Sequence, residues 1–150
     1  MENYEAQLRK PVGAKPLFVP WVWAVVQDQE GRLLVAIKEV GLGLPGWPME
    51  IGEQFQDTVA RGLQTFLGLA PEDYRLEKQF ATTTQRHIRT SYGEVQTLDI
   101  GYLITVTGQI PRNKQGDFTW LYGEKLRQEL LSFDQSLPFL QQYLQGLPKD

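Results

Sequence analysis

Two acidic residues three positions apart stand just before a helical pattern in the middle of the chain. Glu50 and Glu53 lie in a turn rich in proline and glycine, and the pattern that follows closes on Gly68. Two carboxylates at this spacing can hold one divalent cation weakly, because hard cations take oxygen ligands. The alternative is two solvated acids before a helix N-terminus. The helix dipole favours negative charge there, so we prefer this second interpretation.

The stretch from Leu44 to Leu69, LPGWPMEIGEQFQDTVARGLQTFLGL, resembles the Nudix box without a gap. The box of that family is a glycine, then a glutamate after five residues and, after seven more, Arg-Glu-apolar-x-Glu-Glu-x-Gly-apolar. Five positions carry the residue of the family: Glu53, Arg61, Leu63, Gly68 and Leu69. Four positions, where the family has Gly, Glu, Glu and Glu, do not: Trp47, Gly62, Thr65 and Phe66. The chain is therefore similar to Nudix proteins but has a degenerate box.

The departures fall on the positions that carry the chemistry of the family. There, several glutamates on one helix face hold divalent ions against a substrate pyrophosphate and activate a water. Positions 62, 65 and 66 share one helix face by their i, i+3, i+4 spacing, and here that face reads Gly, Thr, Phe. We therefore expect no metal cofactor. If hydrolysis persists, Glu53 and Glu50 are the candidate catalytic residues and the candidate ligands of Mg²⁺ or Mn²⁺.

Three box residues bear on the shape of the turn. Trp47 and Pro48 stand where the family usually has paired glycines, which let backbone amides approach the phosphates. Tryptophan adds bulk there and proline removes an amide donor, so that approach is hindered. Arg61 in the family orients the loop through hydrogen bonds to a glutamate and to backbone carbonyls. Its presence beside Glu53 predicts that the loop shape is preserved.

Two aromatic residues each have two interpretations. Phe66 borders the apolar stripe of the helical pattern, so it either widens the core or forms a contact surface on the former metal face. Trp23 shares a strand face with Trp21 and is either packing or a ligand contact, because the neighbouring cleft in Nudix proteins often stacks a base or sugar. We keep four candidate ligand-binding or interface residues: Trp47, Arg61, Phe66 and Trp23.

Length and composition predict one globular domain. The chain has 150 residues, of which 41% are hydrophobic and 22% charged, and no apolar run approaches the roughly 20 residues of a membrane span. A net charge of -3 gives no electrostatic footprint for nucleic acid. The absence of cysteine excludes disulfides and thiolate chemistry. With no signal-peptide pattern at the start, it predicts a cytoplasmic protein.

The order of elements also resembles the Nudix fold. Two nearly continuous apolar runs flank Asp28 to Gly31, which predicts a hairpin covered on both faces. A later run alternates from Leu98 to Val106 and predicts a strand with Asp99 on a polar, outward face. Leucines between Gly123 and Leu144 predict helical segments. We expect an α/β (α+β) Nudix fold, with a mixed β-sheet sandwiched between α-helices, over residues 18–147 and a loosely held N-terminal arm over residues 1–17.

Resemblance and departures together predict a Nudix-fold protein that has lost pyrophosphohydrolase activity and binds a partner protein or a nucleotide-like ligand. The alternative is a divergent Mg²⁺-dependent hydrolase of nucleoside diphosphates linked to another moiety. It would use Glu50 and Glu53, with Asp57, Glu94 or Asp99 as compensating acids. A third interpretation is a structural subunit of a larger assembly. A homodimer is a further expectation, because members of this fold class are often dimers.

Overall fold

The computed structural model describes residues 4–13, 15, 17–37, 41–80, 84–90, 93–122, 125, 128 and 137–145. Its helices are α1 (Tyr4–Val12), α2 (Phe55–Leu67) and α3 (Leu137–Gln145). Its strands are β1 (Leu17–Gln27), β2 (Leu33–Ile37), β3 (Leu42–Gly43), β4 (Gly46–Pro48), β5 (Tyr74–Gln79), β6 (Thr84–Thr90), β7 (Gly93–Val106) and β8 (Phe118–Leu121). Short 3-10 turns span Pro71–Asp73 and Arg112–Lys114.

The eight strands form one mixed sheet. Its main path runs β3-β2-β1-β7-β5, while β4 pairs with β1, β6 with β7 and β8 with β2. Strands β1 and β7 pair in parallel from Leu17↔Val95 to Gln27↔Thr105, and the other pairings are antiparallel. The two longest strands therefore form the centre of the sheet, and the other strands extend it on both sides.

Helices cover both faces of this sheet. Alternate residues of β1 point to opposite faces, so Val22 and Ala24 pack in the core beneath α2, while Trp23 and Val25 pack beneath α3. Helix α2 contributes its apolar stripe to the first core, with these side chains fully buried: Val59, Leu63 and Leu67. The second core includes Phe139 and Leu140 of α3. The predicted sandwich of a mixed sheet between helices is confirmed.

Local signals account for the elements that carry the box. The predicted hairpin forms, with β1 and β2 antiparallel around Val26↔Leu34. Helix α2 starts after Gln54, whose backbone amide donates to the Asp57 carboxylate at 2.9 Å. It ends at Gly68, which has a φ of 69° and so adopts the left-handed conformation that favours glycine. The box residues therefore lie on a loop, a helix and a C-cap, as the resemblance implied.

The N-terminal segment differs from the predicted loose arm. Residues 4–12 form α1, and Arg9 is buried at its last turn. The Arg9 guanidinium donates to the carbonyl oxygens of Gly13, Lys15 and Glu94, and the contact to Glu94 is 2.7 Å long. These contacts hold α1 against the start of β7. The polar sequence does not predict these contacts, because a buried arginine and not an apolar stripe holds the helix in place. The boundary at residue 18 stays a prediction.

The predicted C-terminal helical segment is confirmed in part. Helix α3 begins at Leu137 and includes Pro138, which the sequence suggested as an interruption. Proline in the first turn of a helix costs no hydrogen bond, because those amides have no partner within the helix. Most of the predicted segment from 123 to 136 lies outside the described residues. Within the described part of the chain, no helix is both long and apolar enough to cross a membrane.

The packing of α3 on β7 gives a test of the fold. Gly101 lies directly beneath the Phe139 ring, and a Cβ atom there would come within 2.5 Å of it. We expect Gly101→Ala to destabilise the protein by about 1–3 kcal/mol through overpacking. Chemical denaturation measures the loss. Gly116→Ala is the control, because a Cβ atom at Gly116 meets nothing within 4 Å. Equal stability of the two variants would contradict the packing.

Candidate functional site

The glutamate and the arginine that the box preserves form an ion pair beside α2. Arg61 donates from Nε to Oε2 of Glu53 at 2.7 Å and from Nη2 to Oε1 at 3.0 Å. Its Nη2 also donates to the carbonyl oxygen of Pro48 at 2.7 Å. Oε1 of Glu53 further accepts from the amide of Glu50 at 2.8 Å and from the hydroxyl of Thr58 at 2.9 Å. The pair joins the helix, the turn and β4 through the contacts to a glutamate and a backbone carbonyl that the resemblance implies for Arg61.

This pairing changes the charge properties of both residues. The hydrogen bond from Arg61 lowers the pKa of the Glu53 carboxyl below its ordinary value, against an opposing effect of burial. The same bond raises the pKa of the Arg61 guanidinium. Glu50 lies further out, with an oxygen 3.8 Å from Nε of Arg61. Glu53 is therefore held ionised by a cation of the protein itself.

Trp47 and Gly62 are in direct contact. A Cβ atom built on Gly62 would lie 2.1 Å from the Trp47 ring, so the indole occupies the space where a side chain at position 62 would begin. Gly62 is buried within the helix by this ring. The two departures from the box are thus coupled: the large residue at 47 requires the absence of a side chain at 62. A glutamate at 62 cannot be accommodated while the indole is in place.

The other two altered positions make internal contacts. The Thr65 hydroxyl donates to the carbonyl oxygen of Arg61 at 2.8 Å. The Phe66 side chain is half-buried against the core beneath α2, and its ring centroid lies 6.4 Å from that of Phe118. Both interpretations of Phe66 keep support, because one side of the ring packs and the residue is still partly exposed.

These residues do not fit the divalent cation that the fold family implies. Mg²⁺ and Mn²⁺ need several oxygen ligands, but both Glu53 oxygens already accept hydrogen bonds, and positions 62 and 66 offer no oxygen. Among the described residues, no group of three or more His, Asp or Glu side chains is arranged to hold a metal. We therefore assign no reaction step to a metal ion. Glu53 and Glu50 stay candidates for the alternative function.

Trp23 and Asp99 lie on the opposite face of the sheet from Trp47. Trp47 pairs with Val22 across the β1–β4 ladder, whereas Trp23 pairs with Gly46 and points toward α3. Its indole donates to Oδ1 of Asp99 at 2.8 Å, and the Thr97 hydroxyl donates to Oδ2 at 2.9 Å. Asp99 is fully buried, so its predicted outward position is wrong. Trp23 is buried as well and is not part of a site with Trp47.

Solved structures with this architecture include Nudix hydrolases. The chain is similar to the E. coli dihydroneopterin triphosphate pyrophosphohydrolase, with a TM-score of 0.64 and 12% identity over 91% of this chain and 99% of that one. It is similar to the C. elegans Ap4A hydrolase, with a TM-score of 0.63 and 10% identity over 87% and 99%. For a Nudix hydrolase from Nitrosomonas europaea the TM-score is 0.59, with 14% identity over 88% and 90%.

Sequence comparison adds no closer assignment: no protein-family model matches the chain, and no curated protein matches it significantly. Identities of 10 to 14% with the three structures support a common fold and nothing finer. The fold agrees with the box and with the order of elements around it. The protein therefore has the Nudix fold, as the sequence predicted.

The contact between Trp47 and Gly62 predicts that the effect of Gly62→Ala on stability changes sign when Trp47 is removed. Gly62→Ala should destabilise the wild-type protein by about 1–3 kcal/mol, because the new methyl group meets the indole. In a Trp47→Ala background the same substitution should stabilise it by up to about 1 kcal/mol, since alanine is the better helix former. A double-mutant cycle by denaturation measures the coupling. Additive effects of the two substitutions would disprove the contact.

The Glu53–Arg61 pair predicts a pH dependence. Because the pKa of Glu53 is lowered by folding, its contribution to stability is complete above the unfolded value of about 4.3 and is lost as pH falls through the folded value. The difference in unfolding free energy between wild type and Glu53→Gln should therefore be constant near neutral pH and shrink in acid. Glu77→Gln is the control, because the Glu77–Arg75 pair is more exposed and should contribute less. A pH-independent difference for Glu53 would contradict the assignment.

Proposed function

We propose that this Nudix-fold chain acts by binding and does not hydrolyse pyrophosphates with a divalent metal. The observation that carries the proposal is the Trp47 indole that covers Gly62, on a helix face where Thr65 and Phe66 replace two further glutamates of the family. A fold can persist while the site that gave it chemistry is replaced. The hydrolase names of the three similar structures describe those proteins and support only a common architecture here.

Binding a cation at the box would compete with contacts of the folded protein. A metal ligand role for Glu53 would withdraw its oxygens from Arg61, Thr58 and the Glu50 amide. Arg61 would then lose the partner that fixes its guanidinium at the Pro48 carbonyl. A metal ion could offset the loss of these hydrogen bonds only with several further oxygen ligands. The side chains at positions 62 and 66 provide no oxygen.

The acids proposed to compensate are dispersed. Asp99 is buried beneath α3, and Asp57 accepts the amide of Gln54 at the start of α2. Glu94 has an exposed side chain with an oxygen 3.3 Å from Nη2 of Arg89. These positions favour the binding role over the divergent hydrolase, which we keep as the opposite outcome of the experiment below.

The surface near the box also favours a binding role. Ile51 is 81% exposed in the turn before α2, and Met49 and Trp47 of the same segment are half-buried. Large contiguous apolar patches mark interaction surfaces, whereas a single exposed residue is common, so this segment supports the proposal only as the centre of a larger patch. A partner protein or nucleotide-like ligand, a homodimer and a cytoplasmic location all stay proposals for this chain.

Calorimetric titration tests the proposal directly. We expect no binding of Mg²⁺ or Mn²⁺ at millimolar concentration, and no phosphate release from a panel of nucleoside diphosphate derivatives with either ion. Circular dichroism before and after each titration establishes that the sample is folded. Turnover that depends on Mg²⁺ and disappears in Glu53→Gln would overturn the proposal and establish the hydrolase.

A rebuilt box provides the matched comparison. Gly62→Glu with Thr65→Glu should bind Mn²⁺ only when Trp47→Gly is added, because that change removes the indole from the space above position 62. Without Trp47→Gly, the two glutamates should lower stability and leave Mn²⁺ affinity unchanged. Equal affinity with and without Trp47→Gly would mean that the indole does not control the site.

A further inference from the structure

A groove lies beyond the box, at the end of the sheet where β1 turns into β2. It has a volume of about 440 Å³ and is formed by the β1–β2 turn, the segment between β7 and β8, and β8 itself. This volume lies within the range of small-molecule sites. The residues that matter for its chemistry are two arginines, two acids and two aromatic residues: Arg32, Arg112, Asp28, Glu30, Phe118 and Trp120. No residue of the box lines it.

One wall of the groove is aromatic. The rings of Phe118 and Trp120 meet edge to face, with centroids 6.1 Å apart and planes at 90°. Trp120 is half-buried and is the accessible ring of the pair, because Phe118 is buried in the core beneath α2 and packs against Phe66. Val106 and Ile110 add an apolar lining. A wall of this kind favours a flat ring, because aromatic pairs gain energy beyond the area they bury.

The groove also contains two guanidinium groups, and their situations differ. Arg32 lies 5.4 Å from the centroid of the Trp120 ring and donates from Nε to Asp28 at 2.5 Å. The Asp28 carboxylate also accepts the amides of Glu30 and Arg32. The Glu30 carboxylate has an oxygen 3.6 Å from Nε of Arg32, so both acids of the lining lie beside Arg32. Arg112 is exposed, and within the described ranges no carboxylate lies within ion-pair distance of it.

We propose that this groove binds a planar aromatic ring carrying an anionic group, with the ring beside Trp120 and the anion at Arg112. The inference rests on the proposed function, because it names the ligand of a chain that acts by binding. A cationic ligand is disfavoured, because the Arg112 guanidinium would repel it. A guanidinium paired with a carboxylate or phosphate makes strong, directional hydrogen bonds.

Phe66 supports the proposed binding groove through its contact with Phe118. It stands at a position where the family has a metal-binding glutamate, and here its ring packs on Phe118, which lines the groove. Phe66 is therefore a positioning residue that acts through Phe118. An aromatic ring in place of a box carboxylate would remove metal binding from the helix face. The same ring would support the groove beside it.

Calorimetry with defined probes tests the inference. Indole-3-acetate and adenosine monophosphate present an aromatic ring with a carboxylate or a phosphate, and indole-3-acetamide is the neutral counterpart. We expect at least one anion to bind and the amide to bind at least about tenfold more weakly than the carboxylate if the carboxylate binds. Whichever anion binds identifies the source of the anionic group.

Variants locate the binding. Arg112→Gln and Trp120→Leu should each weaken binding of the anion by about tenfold or more, whereas Arg89→Gln, an exposed arginine on β6, should leave it unchanged. If Trp120→Leu fails to fold, Arg112→Gln decides alone. No binding of either anion to the folded wild type, or binding unaffected by Arg112→Gln, would overturn the inference. Neither result bears on metal-dependent hydrolysis, so failure here and failure of the proposed function are distinguishable.

Discussion

The contact between the Trp47 indole and the backbone of Gly62 constrains the whole region of the box. It requires that position 62 have no side chain, because a Cβ atom would lie 2.1 Å from the ring. It also fills the space over position 62, one of three positions on the helix face that carries carboxylates in Nudix proteins. The ring itself packs against the core beneath α2, so it is supported by the sheet as well as by the helix. The position of one aromatic side chain therefore limits what α2 can hold.

The Glu53–Arg61 pair completes this arrangement. A carboxylate bridged by two guanidinium nitrogens and two further donors gives the loop a fixed geometry without an ion. The Arg61 side chain is 33% exposed, so the pair contributes more to the geometry of the loop than to stability. A loop that is ordered by its own side chains is suited to binding, because little ordering cost remains when a ligand or partner arrives.

The parts of the structure that could be predicted from sequence are those fixed by local pattern. The hairpin at Asp28, the apolar stripe of α2 and the left-handed glycine at its end all follow from nearby residues. Trp47 and Gly62 are separated along the chain, and their contact depends on the pairing of β4 with β1 and the rotation of α2. The sequence shows both residues as departures from the box. It does not show the geometry that brings them into contact.

Asp99 and Arg9 are two buried polar residues whose positions the sequence pattern did not predict. The alternation along β7 suggested one polar face in solvent, yet α3 covers that face and Asp99 is satisfied by Trp23 and Thr97. Arg9 stands in a polar stretch that carries no apolar pattern, yet it docks α1 on the Glu94 carbonyl. In both cases buried polar groups determine the packing, and hydrophobic periodicity is insensitive to such groups.

The most direct measurement of the central claim is paramagnetic broadening of backbone amide signals by Mn²⁺ in nuclear magnetic resonance. With Arg61 holding Glu53 and the indole covering Gly62, the amides of residues 50–66 should broaden no more than those of exposed acids elsewhere, such as Glu30 and Glu72. Selective broadening of the amides around Glu53 and Gly62 at low Mn²⁺ concentration would contradict the account, because it would place the ion at the box.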